Sequence, residues 1–218
     1  MKKYIIAIIT LSFLVWVPAK ALDLSYKIGA SLDVGMFETS GSESEKSGNV
    51  GPETNTKTMK EGFGGASVFA ELGVGYGISI GVDYIPGSIS LGSGSREDVS
   101  SGADIASEAD TGTRTASANA DNLLAIYATF PLMNNFYGRV GMMEVDVTTE
   151  ETLPNGTYGN VSVDGWQAGI GVNMTENASL EIVYTDFDAF TLASSSGSTS
   201  VTADPEVIAA RFKYAIGN

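Results

Sequence analysis

Glu71, Asp83 and Glu181 are the residues of this chain that most suggest chemistry. Carboxylates gathered at one place can share a proton and act as acid and base. The same stretches of sequence hold Asp33 and three cations, Lys27, Arg211 and Lys213. A charge buried without a partner is costly, so mutual neutralisation is the expected use of these seven residues. The chain has no His and no Cys. Their absence removes Ser-His-Asp catalysis, an imidazole base, His- or thiolate-held metals and disulfides. No catalytic residue, metal ligand or cofactor site is expected. Gly73-x-Gly75-x-Gly77 and Gly169-x-Gly171 sit at strand spacing and open no helix, so they do not read as nucleotide loops. The acidic stretches lack the spacing of a calcium loop, and Asn155-Gly156-Thr157 fits a glycosylation sequon no better than a chance match in a loop does.

Charge narrows the partners. Twelve Lys plus Arg against 26 Asp plus Glu give a net charge of -14. Such a body does not attract nucleic acid.

Positioning depends on period-two alternation, in which successive side chains point to opposite faces. From Val207 to Ile216, the residues Ile208, Ala210, Phe212, Tyr214 and Ile216 share one face, with Arg211 and Lys213 on the other. Seven further stretches read as strands: Tyr26 to Phe37, Phe63 to Gly75, from Ile78 to about Pro86, Asn122 to Phe130, Phe136 to Thr148, Val161 to Met174, and from Ala178 onward. In the first, Ile28, Ala30, Leu32, Val34 and Met36 oppose Lys27, Gly29, Ser31, Asp33 and Gly35. Pro86-Gly87 predicts a bulge or strand end. Arg139 and Glu144 have opposite parity, so strict alternation sends one of them outward. Glu38 to Glu61 and Gly92 to Ala120 are polar, lack periodicity and read as long loops.

The connections alternate between short and longer along the strand order, which places every short turn at one end. Lys2 and Lys3, an apolar run from Tyr4 to Val17 and Ala19-Lys20-Ala21 read as a signal peptide over 1–21, leaving a barrel domain over 22–218. Together these features predict an all-β, eight-stranded antiparallel up-and-down transmembrane β-barrel, with short periplasmic turns and longer external loops. In that barrel the apolar face meets lipid and the opposite face, with the seven charged residues, lines a polar lumen; a soluble lipocalin-like barrel has the same strand number with the faces reversed.

The signal peptide, the asymmetric loops and the closing strand Arg211-Phe212-Lys213-Tyr214-Ala215-Ile216 resemble the small outer-membrane β-barrels of OmpA/OmpX type. The resemblance covers Leu22 to Asn218. It implies location in the outer membrane of a Gram-negative cell envelope, contact with outer-membrane lipid, and recognition by the barrel-assembly machinery. Phe212, Tyr214 and Ile216 match the assembly signal, although Gly217 and Asn218 follow where such proteins usually stop on an aromatic. The function expected is a non-enzymatic integral barrel with a structural or surface-interaction role, its external loops facing an unknown surface partner, or a narrow porin-like channel. The alternative is a carrier of a small hydrophobic ligand, either an outer-membrane transporter or a soluble barrel. Barrel lipid hydrolases and acyltransferases of this size depend on His.

Overall fold

A computed structural model describes residues 24–45, 53–98, 112–152, 157–195 and 199–217. The expected leader and Asn155-Gly156 lie outside them. The described residues form nine strands: β1 (Ser25–Glu45), β2 (Glu53–Gly75), β3 (Ile78–Asp98), β4 (Gly112–Met133), β5 (Phe136–Glu151), β6 (Val161–Asn173), β7 (Ala178–Phe187), β8 (Phe190–Ala193) and β9 (Thr199–Gly217). Every pairing is antiparallel, and β1 pairs with β9, so the sheet closes on itself. Closure removes the sheet's outer edges. The ring has eight members, because β7 and β8 are one wall strand interrupted at Asp188-Ala189. Asp186 pairs with Glu206 and Phe190 with Ala203, both on β9.

Short turns join β2 to β3, β4 to β5 and β6 to β7, all at one end of the ring. Tyr76, Gly77 and Asn134 take positive φ values of 55°, 74° and 50° there. Tight turns require that backbone, and Gly and Asn adopt it at little cost.

The strands run further than alternation alone predicts. Much of Glu38 to Glu61 is strand, with β1 reaching Glu45 and β2 starting at Glu53. Likewise β3 extends to Asp98 and β4 begins at Gly112, which replaces most of the loop expected over Gly92 to Ala120. A ladder is held by backbone hydrogen bonds. Where both faces meet water, no apolar period is required and Ser and Thr serve well. At Pro86-Gly87 the register shifts between Ile85 and Ser88 and the strand continues, so the proline marks a bulge.

One ladder stops early. β2 and β3 pair only from Val68↔Tyr84 to Gly75↔Ile78. Above that level β2 pairs with β1 as far as Glu45↔Glu53, while β3 pairs with β4 as far as Asp98↔Gly112.

Candidate functional site

The closed ring gives every strand an inner and an outer side. Inner residues at the short-turn half are polar. Arg211 donates from Nε to Asp33 Oδ1 at 2.8 Å, and from Nη2 to Ser67 Oγ at 3.0 Å and Ser31 Oγ at 3.2 Å. It also pairs with Asp83. Asp33 and Arg211 are direct cross-strand partners across the β1–β9 closure, as are Glu181 and Arg211 across β7–β9. One layer nearer the turns, Lys213 Nζ lies 2.5 Å from Glu71 Oε1 and 3.2 Å from Glu181 Oε1. Tyr127 donates to Glu71 at 2.7 Å, and Tyr137 to Glu181 at 2.8 Å.

Six of the seven residues expected in the lumen thus meet in one cluster. Lys27 does not. It sits at the mouth on the turn side, where its Nζ is 3.4 Å from the Glu176 carbonyl oxygen. It pairs with Gly217 near the end of β9, and although Glu71 stands opposite it on β2, its ammonium group turns to the mouth.

Arg139 completes the cluster in place of Lys27, bonding Gln167 at 3.0 Å, Glu181 at 3.1 Å and Asp83 at 3.3 Å. Its guanidinium carbon stands 3.5 Å from the centre of the Tyr127 ring, a cation–π contact. The ambiguous pair in β5 is thereby resolved, with Arg139 inside and Glu144 exposed outside. Small residues make the room: a Cβ at Gly81 would collide with the Tyr127 ring, and one at Gly171 with the Tyr137 ring. Tyr137 is therefore a lumen residue.

Three cations and four carboxylates thus fill the lower lumen as a floor. The wild-type protein is expected to be silent in planar-bilayer recordings. Glu71→Ala with Lys213→Ala should introduce measurable ion conductance, because it removes two of the side chains that fill the floor. Equal conductance in both proteins would mean that the floor is not the barrier.

Above Arg211 the inner side changes character. Ile85, Ala120, Leu123, Val145, Val147, Val163 and Phe187 form one buried cluster, with Ile89, Leu91, Met143 and Val207 packed against it. These groups wall a cavity of about 380 Å³ whose lowest lining residues include Asp33, Gln167 and Arg211. The lumen expected to be polar throughout is polar only in its lower half. The upper half is an apolar chamber.

The outer side is apolar too. Leu32 is 65% exposed, Ile28 58%, Ile182 53%, Ile170 49% and Phe212 41%, whereas Arg139 and Glu181 inside are each 1% exposed. On β1 the outer apolar run lasts from Tyr26 to Met36, a length matching the roughly 9–11 residues of a tilted membrane-crossing strand. It ends at Glu38, which pairs with Lys60 of β2 at 2.8 Å. Near the same level Trp166 Nε1 donates to Asp186 at 2.9 Å while its ring meets Tyr184 edge-on, so apolar body and polar tip face different media. A soluble barrel would not present this belt to water around an ionic interior. The chain is a transmembrane β-barrel. Phe212, Tyr214 and Ile216 all lie on the lipid-facing side of its closing strand.

No protein-family model and no curated protein matches this transmembrane barrel. Solved structures do. The outer membrane protein OprG of Pseudomonas aeruginosa is 15% identical, with a TM-score of 0.45, covering 86% of this chain and 96% of that one. The attachment invasion locus protein Ail of Yersinia pestis, solved with the heparin analogue sucrose octasulfate, is 12% identical, with a TM-score of 0.37, covering 85% and 99%. The outer membrane protease OmpT of Escherichia coli is 13% identical, with a TM-score of 0.39, covering 87% and 97%.

Proposed function

We propose that this protein is an integral outer-membrane β-barrel that binds a small, uncharged, apolar molecule in the external half of its lumen. The observation that carries the reading is the apolar chamber above the charged floor. Its volume of about 380 Å³ lies within the roughly 300–1,000 Å³ typical of small-molecule sites. A lumen needed only to hold the wall together could be filled with side chains. Here apolar side chains from β2 through β9 surround space instead.

The reading is non-enzymatic. The chain has no His, and the carboxylates of the floor are engaged by Arg139, Arg211, Lys213 and the two tyrosines. Export would follow removal of residues 1–21. Assembly would use the outer face of β9, with Phe212, Tyr214 and Ile216 as the residues read by the barrel-assembly machinery.

The test is equilibrium binding of N-phenyl-1-naphthylamine, an apolar fluorophore, to mature protein refolded into lipid vesicles. Wild type should bind saturably. Ala120→Phe, which projects a ring into the chamber, should weaken binding at least tenfold while the barrel still shows its heat-dependent gel shift. Undiminished binding in a folded Ala120→Phe protein would rule the chamber out.

A second reading has its own support. The β1–β2 ladder continues beyond the Glu38–Lys60 pair to Glu45↔Glu53, outside the apolar belt. That projecting hairpin offers polar side chains to an external surface partner. Replacing residues 42–56 with a short turn should leave folding and fluorophore binding intact and remove only such contacts.

A further inference from the structure

We propose that the gap between β2 and β3 is a side portal through which an apolar ligand passes between the chamber and the lipid. The proposal rests on the chamber's being a ligand site, as argued above. Three observations carry it.

The first is the missing ladder. Residues Glu53–Ser67 of β2 and Ile85–Asp98 of β3 pair only with the strands on their far sides. The lower part of the gap lies at membrane depth. On β2 the outer boundary is at Lys60, so Gly62 to Ser67 fall inside the apolar belt. Bare backbone donors and acceptors are costly beside lipid. Pro86 of β3, beside the gap, has no N–H that could be left unpaired.

The second is the side chains that are not there. A Cβ at Gly62 or Gly64 would come no closer than 3.9 Å to any other group, and one at Gly87 would meet nothing within 4 Å. Glycines elsewhere in the wall, such as Gly81 and Gly171, lie beneath aromatic rings. Gly62, Gly64 and Gly87 beside the gap satisfy no crowding, and they leave their part of the opening without side-chain cover.

The third is continuity. Met59 and Phe63 on one edge and Ile85, Ile89 and Leu91 on the other all line the chamber. The Met59 side chain reaches across, for a Cβ at Gly92 would lie 2.5 Å from its methyl carbon. An unbranched thioether changes rotamer readily, so Met59 can act as a movable bar.

The chain has no native Cys, which makes a staple clean to introduce. A Cβ at Gly65 would be 3.9 Å from the Ile85 Cγ2 methyl, so Gly65→Cys with Ile85→Cys is the pair to oxidise. As a control, Val140→Cys with Ala168→Cys staples partners in the intact β5–β6 ladder. Each protein would be placed in phosphatidylcholine nanodiscs and mixed with N-phenyl-1-naphthylamine. The fast phase reports partition into lipid and the slow phase entry into the chamber.

Oxidising the Gly65/Ile85 pair should slow the second phase at least tenfold. Its amplitude should hold and dithiothreitol should restore the rate, while the control pair changes nothing. Gly64→Leu, which places a branched side chain in the opening without a cross-link, should slow entry in the same direction. It decides the matter should the staple distort the chamber. Unaltered rates at full amplitude in the stapled pair and in Gly64→Leu would overturn the portal and leave the chamber standing. A wild type with no slow phase at all would overturn the chamber itself.

Discussion

Replacing Arg211 with Ala is expected to lower the unfolding free energy by about 3–5 kcal/mol, the usual cost of stranding the partner of a buried ion pair. Asp33 is 2% exposed and Asp83 3%. Arg139 would still reach Asp83 at 3.3 Å, but the ion pair of Asp33 is with Arg211. The loss therefore concentrates on Asp33. Arg211→Ala combined with Asp33→Asn should be clearly less destabilised than the sum of the single changes, with a coupling of about 0.5–3 kcal/mol. Arg211→Ala combined with Glu71→Gln should be close to additive, because Glu71 is held by Lys213 and Tyr127 instead. Urea unfolding in lipid vesicles, followed by the fluorescence of Trp166 in β6, reads all of these. A wild-type-like midpoint for Arg211→Ala would mean that water solvates the floor, and would favour a conducting lumen.

Faces were legible in the sequence because a closed ring has only two sides and alternation assigns each residue to one. Asp33, Glu71, Asp83, Glu181, Arg211 and Lys213 share the inner parity, and a narrow ring leaves them no other neighbours. Arg139 was ambiguous because Glu144, five residues on, has the opposite parity. Only the partners on β3, β6 and β7 decide between them. Lys27 has the inner parity as well, but parity does not set where a long side chain turns, and its ammonium group turns to the mouth.

The chamber was hidden for a related reason. Val145, Val147 and Val163 also have inner parity, yet β5 carries Met142 and Met143 side by side. Where both faces are apolar, alternation fades. The gap between β2 and β3 lies beyond any one-dimensional reading, since it is a property of which strands pair and how far. The strand extensions were missed because outside the belt neither face needs apolar residues.

The outer face of β9 supports a graded prediction along one strand. Phe212 pairs with Leu32 of β1, in the middle of the Tyr26–Met36 run, while Ile208 pairs with Met36 at its edge and Glu206 with Glu38 beyond it. Arg placed near the bilayer midplane of such barrels costs about 2–4 kcal/mol, falling to about 0–1 near the interfaces. Phe212→Arg should therefore cost most, Ile208→Arg less, and Glu206→Arg almost nothing. Ile170→Arg on β6 should resemble Phe212→Arg, since Ile170 pairs with Ile182 on the same outward side. Gln167→Ala is not a neutral inward comparison, because Gln167 is 1% exposed and accepts from Arg139. Phe212 is also proposed to be read during assembly, so the series belongs in refolding from urea into vesicles, without the assembly machinery. There the ordering follows depth in the bilayer alone. A flat series, or one in which Glu206→Arg costs as much as Phe212→Arg, would mean that lipid does not surround this face.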